Sequence, residues 1–277
     1  MGIMRNSGYD GSVAYKAKVG KWQLEGFGNF TYAKNRIVEM DEPAPRYPWL
    51  STTGLSYSQL RGLTAIGLFR DQEEIDKSPR QQFGVVKPGD IKYADLNDDG
   101  VINSYDVSPI GGTYTPRMMY GFGFRAEYNG IHVEASFQGS GESSFMMGGR
   151  AIVPFQGGII AGNLLEAQTN RWTEADPRQD VEWPRLSIAV PEDNNYQPST
   201  WWLRSGNYLR LKDVQIGYSF RPKVLSLLNL RTLYIYVAAN NVVNFTRFKL
   251  WDPELGSANG AAYPLMRTVN FGLKTNF

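Results

Sequence analysis

The chain has 277 residues, a formal net charge of +2, 20% charged residues and no cysteine. Disulfides, thiolate metal sites and cysteine nucleophiles are therefore excluded, and so balanced a charge leaves no polybasic footprint for nucleic acid. Mean hydropathy is −0.38, and no run approaches the ~18 consecutive apolar residues of a transmembrane helix. That does not argue against membrane strands, because a β-barrel hides its lipid face in alternation. No secretory leader precedes the first strand, so an exported protein is expected to begin upstream of Met1.

The first alternating stretch, 12–19, puts Val13, Tyr15, Ala17 and Val19 on one face and Lys16 and Lys18 on the other. Gly20-Lys21 predicts a tight turn, and 22–32 returns with Trp22, Leu24, Phe30 and Tyr32 opposite Gln23, Glu25 and Asn29. Residues 40–116 then lose the rhythm: Pro43, Pro45 and Pro48, a short acidic helix predicted over 71–77 and a weak strand pair within 54–69 mark a long excursion. Alternation resumes over 118–128 with Tyr120, Phe122, Phe124, Ala126 and Tyr128. It turns at Asn129-Gly130, the sequence of a type I′ hairpin, and returns with Ile131, Val133, Ala135 and Phe137. A second excursion, 140–204, carries Trp172, Trp183, Trp201 and Trp202. Residues 207–220 end in Val214, Ile216, Tyr218 and Phe220, and a short connection with Pro222 leads to Leu233, Ile235, Val237 and Ala239. After a third excursion, 241–266, the last strand presents Val269, Phe271, Leu273 and Phe277 as its membrane-facing and assembly residues.

The apolar faces of these seven predicted strands carry no charged residue. The opposite faces carry Lys16, Lys18, Glu25, Arg125, Glu127, Glu134, Asp213 and Lys274. A soluble sandwich would segregate charge in the same way. The connections separate the two: short ones alternate with long ones, as periplasmic turns and extracellular loops do in outer-membrane barrels. Aromatic residues near the strand ends (Trp22, Tyr32, Tyr120, Tyr128, Phe220, Phe277) suit interfacial girdles. The expected fold is all-β, an antiparallel transmembrane β-barrel portion. An odd number of strands cannot close as an antiparallel ring, so about seven strands of a larger barrel are expected. The alternative is a soluble, Ca²⁺-stabilised β-sandwich that binds extracellular polysaccharide.

The run Gly89-Asp90-Ile91-Lys92-Tyr93-Ala94-Asp95-Leu96-Asn97-Asp98-Asp99-Gly100-Val101-Ile102-Asn103 resembles the C-terminal third of SusC/RagA-type TonB-linked outer-membrane proteins. Tyr120-Gly121-Phe122-Gly123, Asn207 through Val214, Asn240-Asn241 and Trp251-Asp252-Pro253-Glu254 fit the same family in the same order. The resemblance implies a 22-stranded, plugged barrel that imports large nutrients, usually glycan or peptide, with energy from the TonB complex. It also implies a SusD-like surface lipoprotein as lid, outer-membrane lipid around the strands and a Bacteroidota-like, Gram-negative host. The plug and the earlier strands of that family have no counterpart in these residues.

Asp95-x-Asn97-x-Asp99-Gly100-Val101-x-Asn103-x-x-Asp106 has the spacing of a Ca²⁺ loop, with oxygen donors at positions 1, 3, 5, 7, 9 and 12. The same residues also favour a metal-free Asx turn. The four tryptophans of 140–204 either stack on sugar rings at the outer mouth or pack the loop. His132, the single histidine, is expected on the wet wall beside Glu134. No phosphate-binding or nucleophile motif is present and Glu73-Glu74 cannot flank a glycosidic bond, so no enzyme is expected.

Overall fold

The computed structural model describes residues 2–154, 164–187, 193–227 and 229–276. Seven long strands are β1 (Ile3–Val19), β2 (Trp22–Glu39), β3 (Met118–Tyr128), β4 (Ile131–Gly141), β5 (Tyr208–Ser219), β6 (Thr232–Phe245) and β7 (Thr268–Asn276). They form one antiparallel meander in sequence order, with β1 and β7 at its open edges. The first two strands run further than the alternation predicts, and the hairpin they form rises well past its neighbours, pairing Ile3 with Glu39 at its far end. Phe277 lies outside the described residues.

Register explains why the alternation is so regular. One row crosses the whole sheet as Ala17, Leu24, Ala126, Val133, Ile216, Val237 and Phe271, each the cross-strand partner of the next. The adjacent row, on the opposite face, runs Lys16, Glu25, Arg125, Glu134, Gln215, Ala238 and Asn270. A one-residue slip of β1, β2, β3 or β4 would put charge into the apolar row, so the pairing is strongly specified there. The pattern breaks in β5, where Ser136 pairs with Asp213 and the next residue of β4, Phe137, pairs with Leu211. The bulge at Lys212 keeps Leu209 and Leu211 on the same side as Val214 and Ile216. At Asn129-Gly130 both φ angles are positive, 49° and 87°, as a type I′ turn requires.

Among the described residues, no second layer covers the apolar face of the sheet. Phe271 is 82% exposed, Ile216 55% and Phe124 46%. The buried core lies elsewhere, in the long connections: Leu63, Ile91, Tyr93, Ile102, Trp183 and Trp202 are among its members. This corrects the sandwich alternative, whose defining feature is a second sheet packed on the first. Left in water, a face of this kind would be far larger than a soluble monomer tolerates; in hydrocarbon it is already in its preferred medium.

The long connections are built from short ribbons. Gln59–Gly62 pairs with Ser108–Thr113, and Ala65–Leu68 with Ile91–Tyr93. The weak strand pair expected within 54–69 is thus two strands that take distant partners. The first strand's backbone groups are satisfied across a separation of about fifty residues, which local pattern cannot show. The predicted acidic helix forms as α1 (Gln72–Lys77), capped by the Asp71 carboxylate accepting from Glu74 N at 2.8 Å. A second short helix, α2 (Pro222–Leu227), occupies the connection between β5 and β6, with Pro222 at its start where a missing N–H costs nothing.

Candidate functional site

The polar face of the sheet is a wall of alternating charge. Glu25 lies 3.6 Å from Lys16 and 3.4 Å from Arg125, whose other terminal nitrogen reaches Glu134 at 3.0 Å. These contacts follow the row register, each pairing opposite charges on neighbouring strands. His132 sits in this wall as expected, with Nε2 2.8 Å from Ser219 Oγ and Nδ1 3.6 Å from Glu127. Together these residues line a groove of ≈ 560 Å³ near the short-turn end. Further along the wall, Tyr234 and Tyr236 lie flat over Gly217 and Gly272, where an added Cβ would come within 2.2 Å and 2.1 Å of the rings. Glycine on the polar face therefore makes room for aromatic rings that cover the backbone.

At the long-loop end, the first and second long connections are joined by a buried polar cluster. Asp90, 1% exposed, accepts from Arg185 Nε at 3.0 Å, Asn195 Nδ2 at 2.7 Å and Lys87 N at 2.8 Å. Gln81 bridges Ile91 O and Tyr93 N, and its Nε2 also donates to Asn194 Oδ1 at 2.6 Å. Tyr93 donates its hydroxyl to Asn194 O at 2.8 Å. Burial pushes the Asp90 carboxyl upward against the pull of Arg185, and pushes the Tyr93 phenol well above its usual range. Sequence reading missed Gln81, Arg185, Asn194 and Asn195; the doublet Asn194-Asn195 looks like an ordinary loop signal, and its partners are about a hundred residues away. A second clamp joins the third connection to β5: Arg210, 3% exposed, is held by Asp252 and, at 3.0 Å, by Glu254.

Three of the four tryptophans named for sugar stacking are core residues. Trp183 and Trp202 are fully buried, with ring centroids 6.2 Å apart, and Trp172 closes over Gly89. A ring covered on both sides has no face for a sugar, so for these three the packing reading holds. Trp201 is half-buried and donates to Glu182 O at 3.1 Å.

The Asp/Asn loop closes on itself. Asp95 accepts from Gly100 N at 2.8 Å, Asn97 from Asp99 N at 3.2 Å, and Asp99 from Val101 N at 2.9 Å. Asn103 accepts from Tyr105 N at 2.8 Å. Asp106, placed at position 12 for a cation, is fully buried and directs its two oxygens to Leu96 N and Asn103 N, both at 2.8 Å. Asp95 Oδ1 is buried without a partner, the one feature a cation would relieve. Among the described residues, however, no three carboxylates converge as metal donors. In this structure the twelfth-position carboxylate is bound to the backbone and is not turned toward the other oxygen donors of the loop. Val269, Phe271 and Leu273 stand exposed on the apolar face of β7 as expected.

No protein-family model matches the chain. It is 26% identical over 237 residues to TonB-dependent receptor P26 of Formosa agariphila, covering 81% of this chain and 23% of that protein. With TonB-dependent receptor P3 of the same organism it shares 26% identity over 310 aligned positions, covering 100% of this chain and 29% of the relative. Among solved structures, the RagAB peptide transporter superposes with a TM-score of 0.74 at 21% identity, covering 100% of this chain and 29% of that one. The open-open state of the RagAB peptide importer gives 0.73 at 21% identity. The chain thus spans less than a third of the length of the proteins it matches. The fold is all-β, an open antiparallel sheet of seven strands that matches part of the RagAB peptide transporter. In sequence the chain is similar to TonB-dependent receptors, and its resemblance to the SusC/RagA type extends from its motifs to its fold.

Proposed function

We propose that these strands serve an importer in the outer membrane of a Gram-negative, Bacteroidota-like bacterium. It takes up large nutrients, glycan or peptide, with energy delivered by the TonB complex. The observation that carries the reading is the asymmetry of the sheet: an uncharged, uncovered face on one side and a continuous charged wall on the other. Lipid meets the first and a hydrated lumen the second. The short turns then lie in the periplasm and the three long connections, about 40–116, 140–204 and 241–266, outside the cell. The rigid loop cluster held by Asp90, Arg185 and the buried tryptophans forms the outer mouth, on which a SusD-like lipoprotein closes as lid. The peptide transport of the RagAB structures supports a solute of that size class. The relatives this chain resembles are receptors.

The test is a deletion of the full-length gene complemented by the intact protein. Uptake of a fluorescent oligosaccharide or oligopeptide library should require both the gene and a working TonB complex. The full-length protein should fractionate with outer membranes and migrate heat-modifiably. Import that persists without the gene, or a protein that is soluble without detergent, refutes the assignment.

A further inference from the structure

A groove of ≈ 560 Å³ crosses the long-loop ends of β3 to β6. Its walls are Met118 and Tyr120 on one side and Leu209 and Phe245 on the other. By the alternation described above, these four side chains belong to the uncharged face of the sheet. The floor is low because β4 carries glycine there: a Cβ on Gly139 would meet the Tyr120 ring at 2.3 Å, and one on Gly141 would meet Met118 Cε at 2.3 Å. Phe245 remains 54% exposed. At the upper end the lining turns polar, with Asn207, Thr246 and Arg247; Thr246 Oγ1 donates to Asn207 O at 3.2 Å. Arg247 and Lys249 are exposed, and among the described residues Arg247 makes no ion pair.

We infer that this groove is a lipid-binding site for a phosphate-bearing, multi-acyl lipid of the outer leaflet. One acyl chain lies against Leu209 and Phe245, and the phosphate meets Arg247. The inference rests on the membrane-barrel reading, which puts these walls in hydrocarbon and the polar end at headgroup depth. Three observations choose this occupant. The groove opens on the face without charge, where a water-soluble partner would have to cross the bilayer to reach it. Its polar end holds a cation with no carboxylate of its own, which suits an anionic headgroup. Tyr120 marks the same level as an interfacial ring, its hydroxyl 3.5 Å from Tyr208 O and its body beside the chain.

The probe is monophosphoryl lipid A added to the full-length, delipidated protein in mild detergent and read by native mass spectrometry, with diacylglycerol as the uncharged control. Wild type should retain lipid A and not diacylglycerol. Arg247→Glu should reduce retention at least ten-fold. Leu209→Trp, which fills the groove and leaves Arg247 in place, should do the same. Lys223→Glu, at the other end of the sheet, should leave it unchanged. Heat-modifiable migration reports that each variant is folded. Retention that ignores residue 247, equal binding of diacylglycerol, or an equal loss in Lys223→Glu overturns the site and leaves the barrel standing. A full-length protein that needs no detergent overturns the membrane reading itself.

Discussion

Phe124 lies midway along β3 between Tyr120 and Tyr128, all three on the uncharged face. Eight residues at ~3.3 Å each, tilted by ~40°, separate the two tyrosines by about 20 Å along the membrane normal. That approaches the ~25 Å apolar band of an outer-membrane barrel, so Phe124 is near its centre and Tyr128 at its edge. Phe124→Arg should therefore cost about 2–4 kcal/mol, and Tyr128→Arg about 0–1 kcal/mol. Water in place of lipid gives a different answer: at a position 46% exposed with no covering layer, an arginine would be tolerated within about 0.5 kcal/mol. The assay is equilibrium unfolding of the full-length protein refolded in lipid vesicles, followed by tryptophan fluorescence and by heat-modifiable migration. A Phe124→Arg cost below about 1 kcal/mol, or equal costs at the two positions, would refute the lipid-facing assignment.

The other expectations concern the loops. Asp90→Ala leaves Arg185 Nε and Lys87 N without their acceptor in a buried site and leaves Asn195 Nδ2 only Arg185 O, at 3.0 Å. It should cost about 3–5 kcal/mol, toward the lower end because Arg185 reaches solvent, and hydrogen exchange should rise across both connections that Asp90 joins. Unchanged exchange around 194–195 would remove the cluster's structural role. Glu42 accepts from the backbone N–H groups of Thr52 at 2.9 Å and Thr53 at 3.0 Å. Those donors, Thr53 first, hold its carboxyl far below the usual carboxylate range. A lowered folded pKa stabilises above the unfolded pKa and is lost only as pH falls through the folded value, so this clamp should persist through pH 4.5 into strong acid. Pepsin at pH 3 should spare segment 47–53 in the wild type and cut it in Glu42→Ala; equal cutting contradicts the clamp. Asp106→Ala should expose the 95–106 loop to proteolysis, because two N–H groups lose their acceptor at about 1–3 kcal/mol each. Millimolar Ca²⁺ should leave wild-type cleavage of that loop unchanged, and protection by Ca²⁺ would show that Asp106 leaves the backbone for the ion.

The sheet was legible in the residues because a strand between two media writes its environment on every second position. Val133, Ile216, Val237 and Phe271 could each be put on the uncharged face by alternation alone, and the pairing places all four on one face. Asn129-Gly130 fixed its hairpin by backbone chemistry available to few other pairs. The same alternation could not tell a lipid face from a buried one, since both exclude charge. Only the tertiary structure decided that, by leaving the face uncovered and placing the core in the connections. It also decided the role of the tryptophans, because burial of Trp183 and Trp202 comes from segments distant in sequence. For the Asp/Asn loop, spacing described which atoms were near one another. Which way Asp106 turned depended on the N–H groups of Leu96 and Asn103 already facing it. Local periodicity is set by the solvent at each side chain and so is written in the sequence. Contacts among irregular connections are set by the pairing of unlike segments across long separations, and become readable only when the chain is folded.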